Sequence, residues 1–384
     1  MRIMAPGPVE SPPEVLAAGS RQIPHHRTGE FRATLKDSLA ALGRVLKTAN
    51  PVVPIAASGT GAMEAIVTSL FSPSDTVLVT VCGNFSERWV NICKAFGVKV
   101  TRLDSDWGTA VDPARVAMEL KNNPKIAGVL TTFSETSTGV ENDIAAIGKA
   151  VRGTDAVLAV DGISGVGALP FYTDDWGVDA LAVGSQKGLM LPPGLAFVAL
   201  SAKARKRIET STTPRFYLSL DSALKSLEGN LPDTPFTPAV SLIIQLRESL
   251  KVLEAEGIEK VWARIALLGS ATRAAIRALG LKLLPAGNYS NVVTAVDCAG
   301  GPDPDSVVRS LREGYGISII GGQGKLKGRI FRIGHVGHVD ELDVLATIGA
   351  LEMVLRRSGR DVKLGAGVAA AQEVFLKAKV GENA

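Results

Sequence analysis

The chain has 384 residues, 46% of them hydrophobic, which is enough material for two domains or for one large α/β domain with an appendage. Its 42 Lys and Arg residues against 38 Asp and Glu residues leave a net charge of +4 without long charged runs, so neither nucleic acid nor a membrane surface is an expected partner. The three cysteines, Cys82, Cys93 and Cys298, are widely spaced and predict neither a disulfide framework nor a thiolate metal site, which favours a reducing cytoplasm.

The predicted elements follow a proline-rich start that lacks the continuous apolar helix of a signal peptide. No uncharged apolar run reaches the ~18 residues of a membrane span, so we expect a soluble, cytoplasmic protein. From residue 77 to residue 200, short β-branched runs alternate with amphipathic stretches. Strands are predicted over 77–81, 98–101, 126–133, 157–160 and 195–200, with helices over 87–96 and 144–151. This alternation predicts an α/β fold with a mostly parallel sheet flanked by helices.

The pattern changes near residue 240, where long amphipathic helices replace the short runs. Helices are predicted over 241–256 and 258–279, followed by strands over 291–296, 317–320 and 329–333 and helices over 305–313 and 341–356. This second pattern indicates a small α+β unit. We therefore predict an N-terminal segment (1–20), a large domain (21–256) and a small C-terminal domain (257–384).

Two strands of the large domain end in residues that suit a particular cofactor chemistry. Asp161 ends the run that begins at residue 156, and Lys187 follows a second apolar run after Gly184-Ser-Gln. A lysine with a solution pKa near ~10.4 is a poor nucleophile at neutral pH, so an aldehyde-capturing lysine needs a stiff, partly desolvated position. An acid and a lysine at strand ends fit pyridoxal phosphate, which has a basic ring nitrogen and an aldehyde.

Residues 57–65 form a glycine-rich stretch that we expect to be a turn opening into a helix over 63–71. Free amides at a helix start, with the hydroxyls of Ser58 and Thr60, would bind a phosphate ester. The alternative is an ordinary capped helix, because Ser, Thr and Gly are favoured at any helix start. The stretch is not a P-loop, and Glu64 replaces the third glycine of a dinucleotide fingerprint.

Further polar and aromatic residues follow predicted strands. Phe85 comes after the strand that ends near Val81 and could cover one face of a planar cofactor, although such an aromatic is more often part of the core. The polar stretch 134–139, which contains Thr136, follows the strand over 126–133 and could be only a turn. Because ligand sites in open α/β sheets lie at the carboxyl ends of strands, we expect these segments to meet there.

Arg332 lies in the predicted strand over 329–333, between Phe331 and Ile333, which should face the core. A guanidinium on a rigid strand suits a substrate carboxylate, and a structural salt bridge is the alternative. The preceding glycine-rich stretch, 321–328, leads into a strand rather than a helix, so we interpret it as a loop. His335 and His338 have helical ligand spacing, but the glycines around them favour a loop over a metal site.

These residues resemble the class V aminotransferases of the fold-type I pyridoxal phosphate enzymes, and most closely the alanine–glyoxylate and serine–pyruvate aminotransferase group. The matching stretches occur in order along nearly the whole chain and are Pro6-Gly-Pro8, Ser58-Gly-Thr-Gly61, Glu135-Thr-Ser-Thr-Gly-Val140, Val160-Asp-Gly-Ile-Ser164, Gly184-Ser-Gln-Lys187, Pro192-Pro-Gly194, Leu246-Arg-Glu-Ser-Leu250 and Phe331-Arg-Ile-Gly334. The resemblance implies a fold-type I transferase that binds pyridoxal 5'-phosphate and acts as a homodimer with shared active sites.

The resemblance also implies a role for each matching residue. Lys187 would bond to the cofactor aldehyde and shuttle protons, while Asp161 would keep the ring nitrogen protonated. Arg332, with backbone near Gly7, would bind the substrate α-carboxylate. The remaining cofactor contacts would be the phosphate-binding Ser58, Gly59, Thr60 and Gln186, the ring-covering Phe85, Thr136 at the phenolic oxygen, and Thr237 at the neighbouring subunit's phosphate.

Three positions depart from the family pattern. Phe85 stands where many relatives have tryptophan, Thr234 stands where some have tyrosine, and Pro8-Val9-Glu10 replaces a Pro-Ser-Asn run. They suggest a changed pocket with the same chemistry.

The expected activity is a ping-pong transamination from serine or alanine to glyoxylate or pyruvate. A 2-aminoethylphosphonate–pyruvate transaminase is a rival, since Arg332 could bind a phosphonate. A catalytically retired binding or regulatory protein is the alternative from another class. A cysteine desulfurase is disfavoured because residues 321–328 contain no cysteine, and a nicotinamide dehydrogenase lacks its glycine fingerprint.

Overall fold

The computed structural model describes residues 1–382 of the chain. Its strands are β1 Arg2–Ile3, β2 Val52–Ile55, β3 Thr76–Val81, β4 Lys99–Asp104, β5 Ile126–Thr132, β6 Ser134–Glu135, β7 Val140–Glu141, β8 Val157–Asp161, β9 Ala180–Gly184, β10 Ala196–Leu200, β11 Lys282–Leu283, β12 Val293–Asp297, β13 Ile317–Ser318, β14 Ile320–Gly321 and β15 Ile330–Gly334.

The helices lie between and after these strands. They are α1 Pro13–Ala18, α2 Gly29–Leu46, α3 Gly59–Leu70, α4 Ser86–Ala95, α5 Pro113–Asn122, α6 Ile144–Val151, α7 Ala202–Ile208, α8 Leu220–Leu227, α9 Val240–Glu256, α10 Ile258–Ala278, α11 Pro304–Tyr315, α12 Glu341–Arg357 and α13 Ala366–Glu382.

A seven-stranded sheet has the order β2-β10-β9-β8-β5-β3-β4. The five strands from β9 to β4 are parallel to one another, whereas β10 runs antiparallel to both of its neighbours. The predicted mostly parallel sheet flanked by helices is therefore confirmed. Parallel neighbours need crossovers on the sheet faces, and the helices predicted between the strands supply them.

Successive residues of each central strand face opposite sides of this sheet, as pleating requires. Leu78 packs in the cluster that contains Leu42 and Leu246, on the side of α2 and α9. Its neighbour Val77 packs in the cluster that contains Ile66 and Trp89, on the side of α3 and α4. Both sheet faces are buried, which explains why the strands read as continuous apolar runs.

The C-terminal part contains a four-stranded antiparallel sheet with the order β11-β12-β15-β14 and an apolar cluster of its own. One prediction here was wrong, because residues 317–320 do not form a single strand. β13 pairs in parallel with β1, while β14 pairs with β15. Ile317 and Ile319 are both buried, so the chain changes its partner strand while it keeps these side chains in the core.

The large-sheet part and the C-terminal part are connected at two places in the chain. α9 and α10 meet at Gly257, which has a φ of 85°. At the N-terminus, β1 and Met4 bond to the C-terminal part through Ser318 and Gly334, and the Val9 amide donates to the carbonyl of Gln186 in the large-sheet part. The segment before α1 therefore crosses from one part to the other beside Lys187. The domain boundaries at 20 and 256 stay predictions.

Candidate active site

The site lies at the carboxyl ends of the parallel strands. β8 ends at Asp161, which is paired in register with Thr132 at the end of β5 and with Ala182 in β9. β9 ends at Gly184, and Lys187 follows in the turn. Parallel strands that are in register end at one edge of a sheet, so the two predicted residues reach the same edge.

Lys187 is held by the N-terminal segment. Its Nζ donates a hydrogen bond of 2.7 Å to the carbonyl of Pro6, and the residue is 9% exposed. Gly7 has a φ of 137°, and a Cβ at that position would overlap the end of the Lys187 side chain. Only glycine therefore fits beneath this lysine.

Burial lowers the pKa of Lys187 to about 8, and the cations of Arg332 and Arg88 add to the decrease while Asp161 opposes it. Burial likewise raises the pKa of Asp161 to about 7, against the stabilising backbone amide of Ile163. That amide donates 3.0 Å to Oδ1 of Asp161. Desolvation thus outweighs the attraction between the two groups, which leaves a lysine that loses its proton far more readily than one in water.

The pKa of Lys187 predicts how the cofactor-free protein should react with an aldehyde. Only the neutral amine attacks, and a pKa lowered from 10.5 to about 8 means that this form accumulates as the pH rises through about 8. About a tenth of the lysine would then be neutral at pH 7, compared with less than about 0.1% of a solvated lysine. The rate of pyridoxal phosphate capture, followed by absorbance, should rise with pH and level off above pH 8 to 9. A midpoint at ~10.4 would contradict the lowering of the lysine pKa by burial.

The glycine-rich stretch differs from its prediction. It is not a turn before a helix, because α3 already begins at Gly59 and contains Thr60 and Gly61 in its first turn. Gly59 is needed for space, since a Cβ there would meet the side chain of Ile163. The side chain of Ser58 makes no cap bond, and the first turn of α3 contains no acidic residue. The amide end of α3 is therefore open to an anion.

Three buried polar atoms near this edge have no hydrogen-bond partner within the described residues, namely Oγ1 of Thr132, Oγ1 of Thr136 and Oε1 of Gln186. Buried polar groups are rarely left without a partner, so the atoms of Thr136 and Gln186, which lie beyond the strand ends, indicate a ligand. Thr136 and Gln186 lie on the segments that follow β5 and β9. Together with Asp161, Lys187 and the start of α3, they fit pyridoxal phosphate, which has a phenolic oxygen, a ring nitrogen, an aldehyde and a phosphate.

Glu135 is a residue that the sequence reasoning did not single out. It is completely buried, and its carboxylate accepts from the amides of Phe85, Ser86 and Ser137 and from the hydroxyls of both serines. It thereby joins the loop that carries Phe85 to the turn that carries Thr136. A lone acid inside a polar run gave a weak signal, since its donors on Phe85 and Ser86 come from a segment about 50 residues away.

Phe85 is partly buried rather than a core residue, and it directly precedes α4. Arg88, also missed, lies in the first turn of that helix. Its Nη1 donates 3.1 Å to Oγ1 of Thr60, and its guanidinium carbon lies 5.1 Å from the Phe85 ring centre. The signal in the sequence was an arginine three positions after an aromatic residue. At the start of a helix this spacing places the two side chains on the same face.

Arg332 is 1% exposed and points into the protein between the two sheets. Its Nε and Nη2 donate to the carbonyl of Gly321, and its Nη1 donates 2.9 Å to the carbonyl of Thr136. It forms no ion pair with a carboxylate of the described residues, so the structural salt bridge considered for it is absent there. Burial lowers its pKa to about 10, although Glu135 opposes this. The guanidinium has five N–H groups, and those that do not take part in these three bonds remain available to a substrate.

Thr237 is exposed and lines an outer cavity with Thr234 and Phe236, so the structure does not bring it to the lysine of its own chain.

His335 is buried and bonds through Nε2 to Thr294. Within residues 1–382, no group of three or more His, Cys, Asp or Glu side chains has an arrangement that could hold a metal ion. None of the helices in that range is both long enough and apolar enough to cross a bilayer.

A lysine and a buried acid at the strand ends of this sheet, with unpartnered polar groups around them, define a fold-type I enzyme that uses pyridoxal phosphate. The chain belongs to the class V aminotransferase family, whose sequence profile, "Aminotransferase class-V", matches residues 14–327. The protein is accordingly an aminotransferase, as the sequence predicted, and the catalytically retired alternative is not supported.

Individual relatives agree over almost their full lengths. The chain is 39% identical to the L-aspartate–glyoxylate aminotransferase of Paracoccus denitrificans, with 97% of this chain and 96% of the relative covered. It is 36% identical to the serine–glyoxylate aminotransferase of Methylorubrum extorquens (96% and 94% covered). It is also 39% identical to a Synechococcus protein named the small subunit of a soluble hydrogenase (98% of both covered). The crystal structure of ureidoglycine–glyoxylate aminotransferase from Bacillus subtilis matches with a TM-score of 0.93 at 31% identity, over 98% of both chains.

Proposed function

We propose that this aminotransferase moves an amino group from a small amino acid, serine or alanine, to a small 2-oxo acid, glyoxylate or pyruvate, in a ping-pong cycle. The observation that carries the proposal is the desolvated Lys187 beside Asp161, with the unpaired side of Arg332 available to a carboxylate.

We assign the cofactor contacts to the residues that fit it. Ser58, Gly59, Thr60 and Gln186 hold the phosphate, Thr136 donates to the phenolic oxygen, Asp161 faces the ring nitrogen and Phe85 covers the ring. The open start of α3 and the unpartnered atoms of Thr136 and Gln186 support this assignment. When bound, pyridoxal phosphate supplies an aldehyde that captures amines and a ring that accepts electrons.

The protein's own groups then bind the substrate and move its protons. The guanidinium of Arg332, assisted by backbone near Gly7, binds the α-carboxylate and so fixes the direction of the Cα–H bond. Nζ of Lys187 is neutral above a pH of about 8, and it takes the proton from Cα as a general base. The N-terminal segment that crosses over Lys187 helps to exclude water from this transfer.

Glyoxylate is the acceptor in the names of the aspartate, serine and ureidoglycine relatives, while their amino donors differ. This supports glyoxylate as one acceptor here. A matrix of serine, alanine, aspartate and 2-aminoethylphosphonate as donors, each with glyoxylate and pyruvate as acceptors, tests the proposal. Serine or alanine with glyoxylate should give the highest kcat/KM. The phosphonate rival is not favoured, and a matrix led by the phosphonate would overturn the proposal.

Replacing Arg332 by lysine should test the carboxylate contact. The substitution keeps the charge but loses the planar fork, so KM for both the amino acid and the 2-oxo acid should rise by roughly 100-fold. An amine without a carboxylate, such as ethylamine, should react in the first half-reaction at the same low rate with both proteins. An equal loss for ethylamine would mean that Arg332 acts only by holding Gly321 and Thr136 in place.

The proposal includes a cytoplasmic homodimer in which Thr237 reaches the phosphate of the partner's cofactor. Its support is the exposed position of Thr237, which lines an outer cavity with the exposed ring of Tyr217, and the three buried free cysteines that suit a reducing compartment. Sedimentation should give a dimer. Thr237→Val should lower the affinity for the cofactor by several-fold and should leave the dimer intact. A fully active monomer would contradict the shared site.

A further inference from the structure

Arg88 is a partly buried cation that lacks a counter-ion within the described part of the chain. Its contacts are the Thr60 hydroxyl, 3.1 Å from Nη1, and the Phe85 ring, 5.1 Å from the guanidinium carbon. Partly desolvated charges are costly unless they are paired, so an arginine in this position indicates an anion that is supplied from outside the chain.

The guanidinium lies beside the amide end of α3. Thr60, which accepts its hydrogen bond, is in the first turn of that helix, where no acidic residue offsets the positive end of the helix dipole. The nearby side chain of Ser58 caps nothing. Arg88 also acts on the catalytic groups, because its charge lowers the pKa of both Asp161 and Lys187. A single anion at the α3 start would therefore meet the helix end, two hydroxyls and this guanidinium together.

We infer that Arg88 is a binding residue for the phosphate monoester of the cofactor, and that it neutralises the dianion from a position beside the free amides of α3. A guanidinium has five N–H donors, of which one is used on Thr60, and its planar fork matches phosphate oxygens. The inference rests on the cofactor placement proposed above, to which it adds a contact that the sequence motif did not contain.

A purely structural role would be different. In that case Arg88 would only stiffen Phe85 through the cation–π contact and hold the Thr60 hydroxyl, and its loss would weaken every ligand that needs the ring-covering residue. The comparison of a ligand that carries the phosphate with one that lacks it separates these two roles.

The test measures the affinity of the full-length protein for pyridoxal 5'-phosphate and for pyridoxal, by absorbance titration, in the wild type and in R88Q, R88K and R102Q. R88Q should bind pyridoxal phosphate about 10- to 100-fold more weakly, the range for a hydrogen bond between charged groups, and should bind pyridoxal unchanged. R88K should recover part of the loss. Arg102 is the matched control, because it pairs with Glu87 of the same helix and with Asp104 and should not affect either ligand.

Unchanged pyridoxal binding also shows that R88Q is folded. An equal loss for both ligands, an unaltered affinity for pyridoxal phosphate, or an R88K as weak as R88Q would each overturn the role of Arg88 while the proposed function stands. A wild type that binds pyridoxal as tightly as its phosphate would overturn the phosphate position at α3 itself.

Discussion

Lys187→Ala will lower the rate of transamination by at least roughly 10⁴-fold, the upper end of what a positioned general base contributes. The variant loses the amine whose Nζ is held at the strand edge by Pro6, and it loses the group whose lowered pKa allows it to accept a proton near neutrality. The measurement is the single-turnover rate of the half-reaction with serine or alanine.

The proposed phosphate and ring contacts do not involve this side chain, so the variant should still bind pyridoxal phosphate. Borohydride should fix the cofactor to the wild type at residue 187 and should leave it removable from the variant. Lys225→Ala is the control, since Lys225 is an exposed lysine paired with Asp221 on α8. Substantial turnover by the Lys187 variant would refute the assignment of the proton shuttle.

Asp161→Asn should lower kcat by roughly 10³-fold, a typical loss for a charged group that stabilises the reacting system. The amide is nearly isosteric and can still accept from the Ile163 backbone, but it carries no charge to hold a proton on the ring nitrogen. Burial raises the pKa of Asp161 to about 7, so a cationic partner is required to keep this carboxylate ionised at neutral pH. A protonated ring nitrogen would be such a partner.

Asp179 provides the matched control for this substitution. It is a buried acid just before β9, at the opposite end of that strand from Lys187, and it accepts from the Leu158 amide and the Ser201 hydroxyl. Asp179→Asn should lower the melting temperature without changing kcat. A loss of kcat as large as that of the Asp161 variant would show that any buried acid in this sheet supports activity.

Much of the site could be predicted because strand ends are readable from local residue patterns. β3, β5, β8 and the region of β9 are short apolar runs that end in polar residues, and parallel strands bring such ends together. Asp161, Thr136, Gln186 and Lys187 follow from that rule without any knowledge of the strand order. The chemistry of a lysine and an acid then suggested the cofactor.

Other features depend on packing between distant segments. α3 begins at Gly59 rather than near Met63, and position 59 must be glycine because Ile163 fills the space that a larger side chain would need. The division of residues 317–320 depends on β1, which arrives from the other end of the chain. Local propensity carries no information about either partner.

The sequence by itself determined the types of the elements predicted around the site, the mostly parallel sheet and the residue types at its carboxyl edge, because hydrophobic periodicity and turn residues act over a few positions. Only the tertiary structure decided which groups hold the side chains of the candidate site. Lys187 bonds to Pro6 across 181 positions, Arg332 bonds to Thr136 across 196, and Glu135 and Arg88 find their partners across the site. Burial also changes the pKa of Lys187 and of Asp161, and burial is a property of the packed chain rather than of any segment.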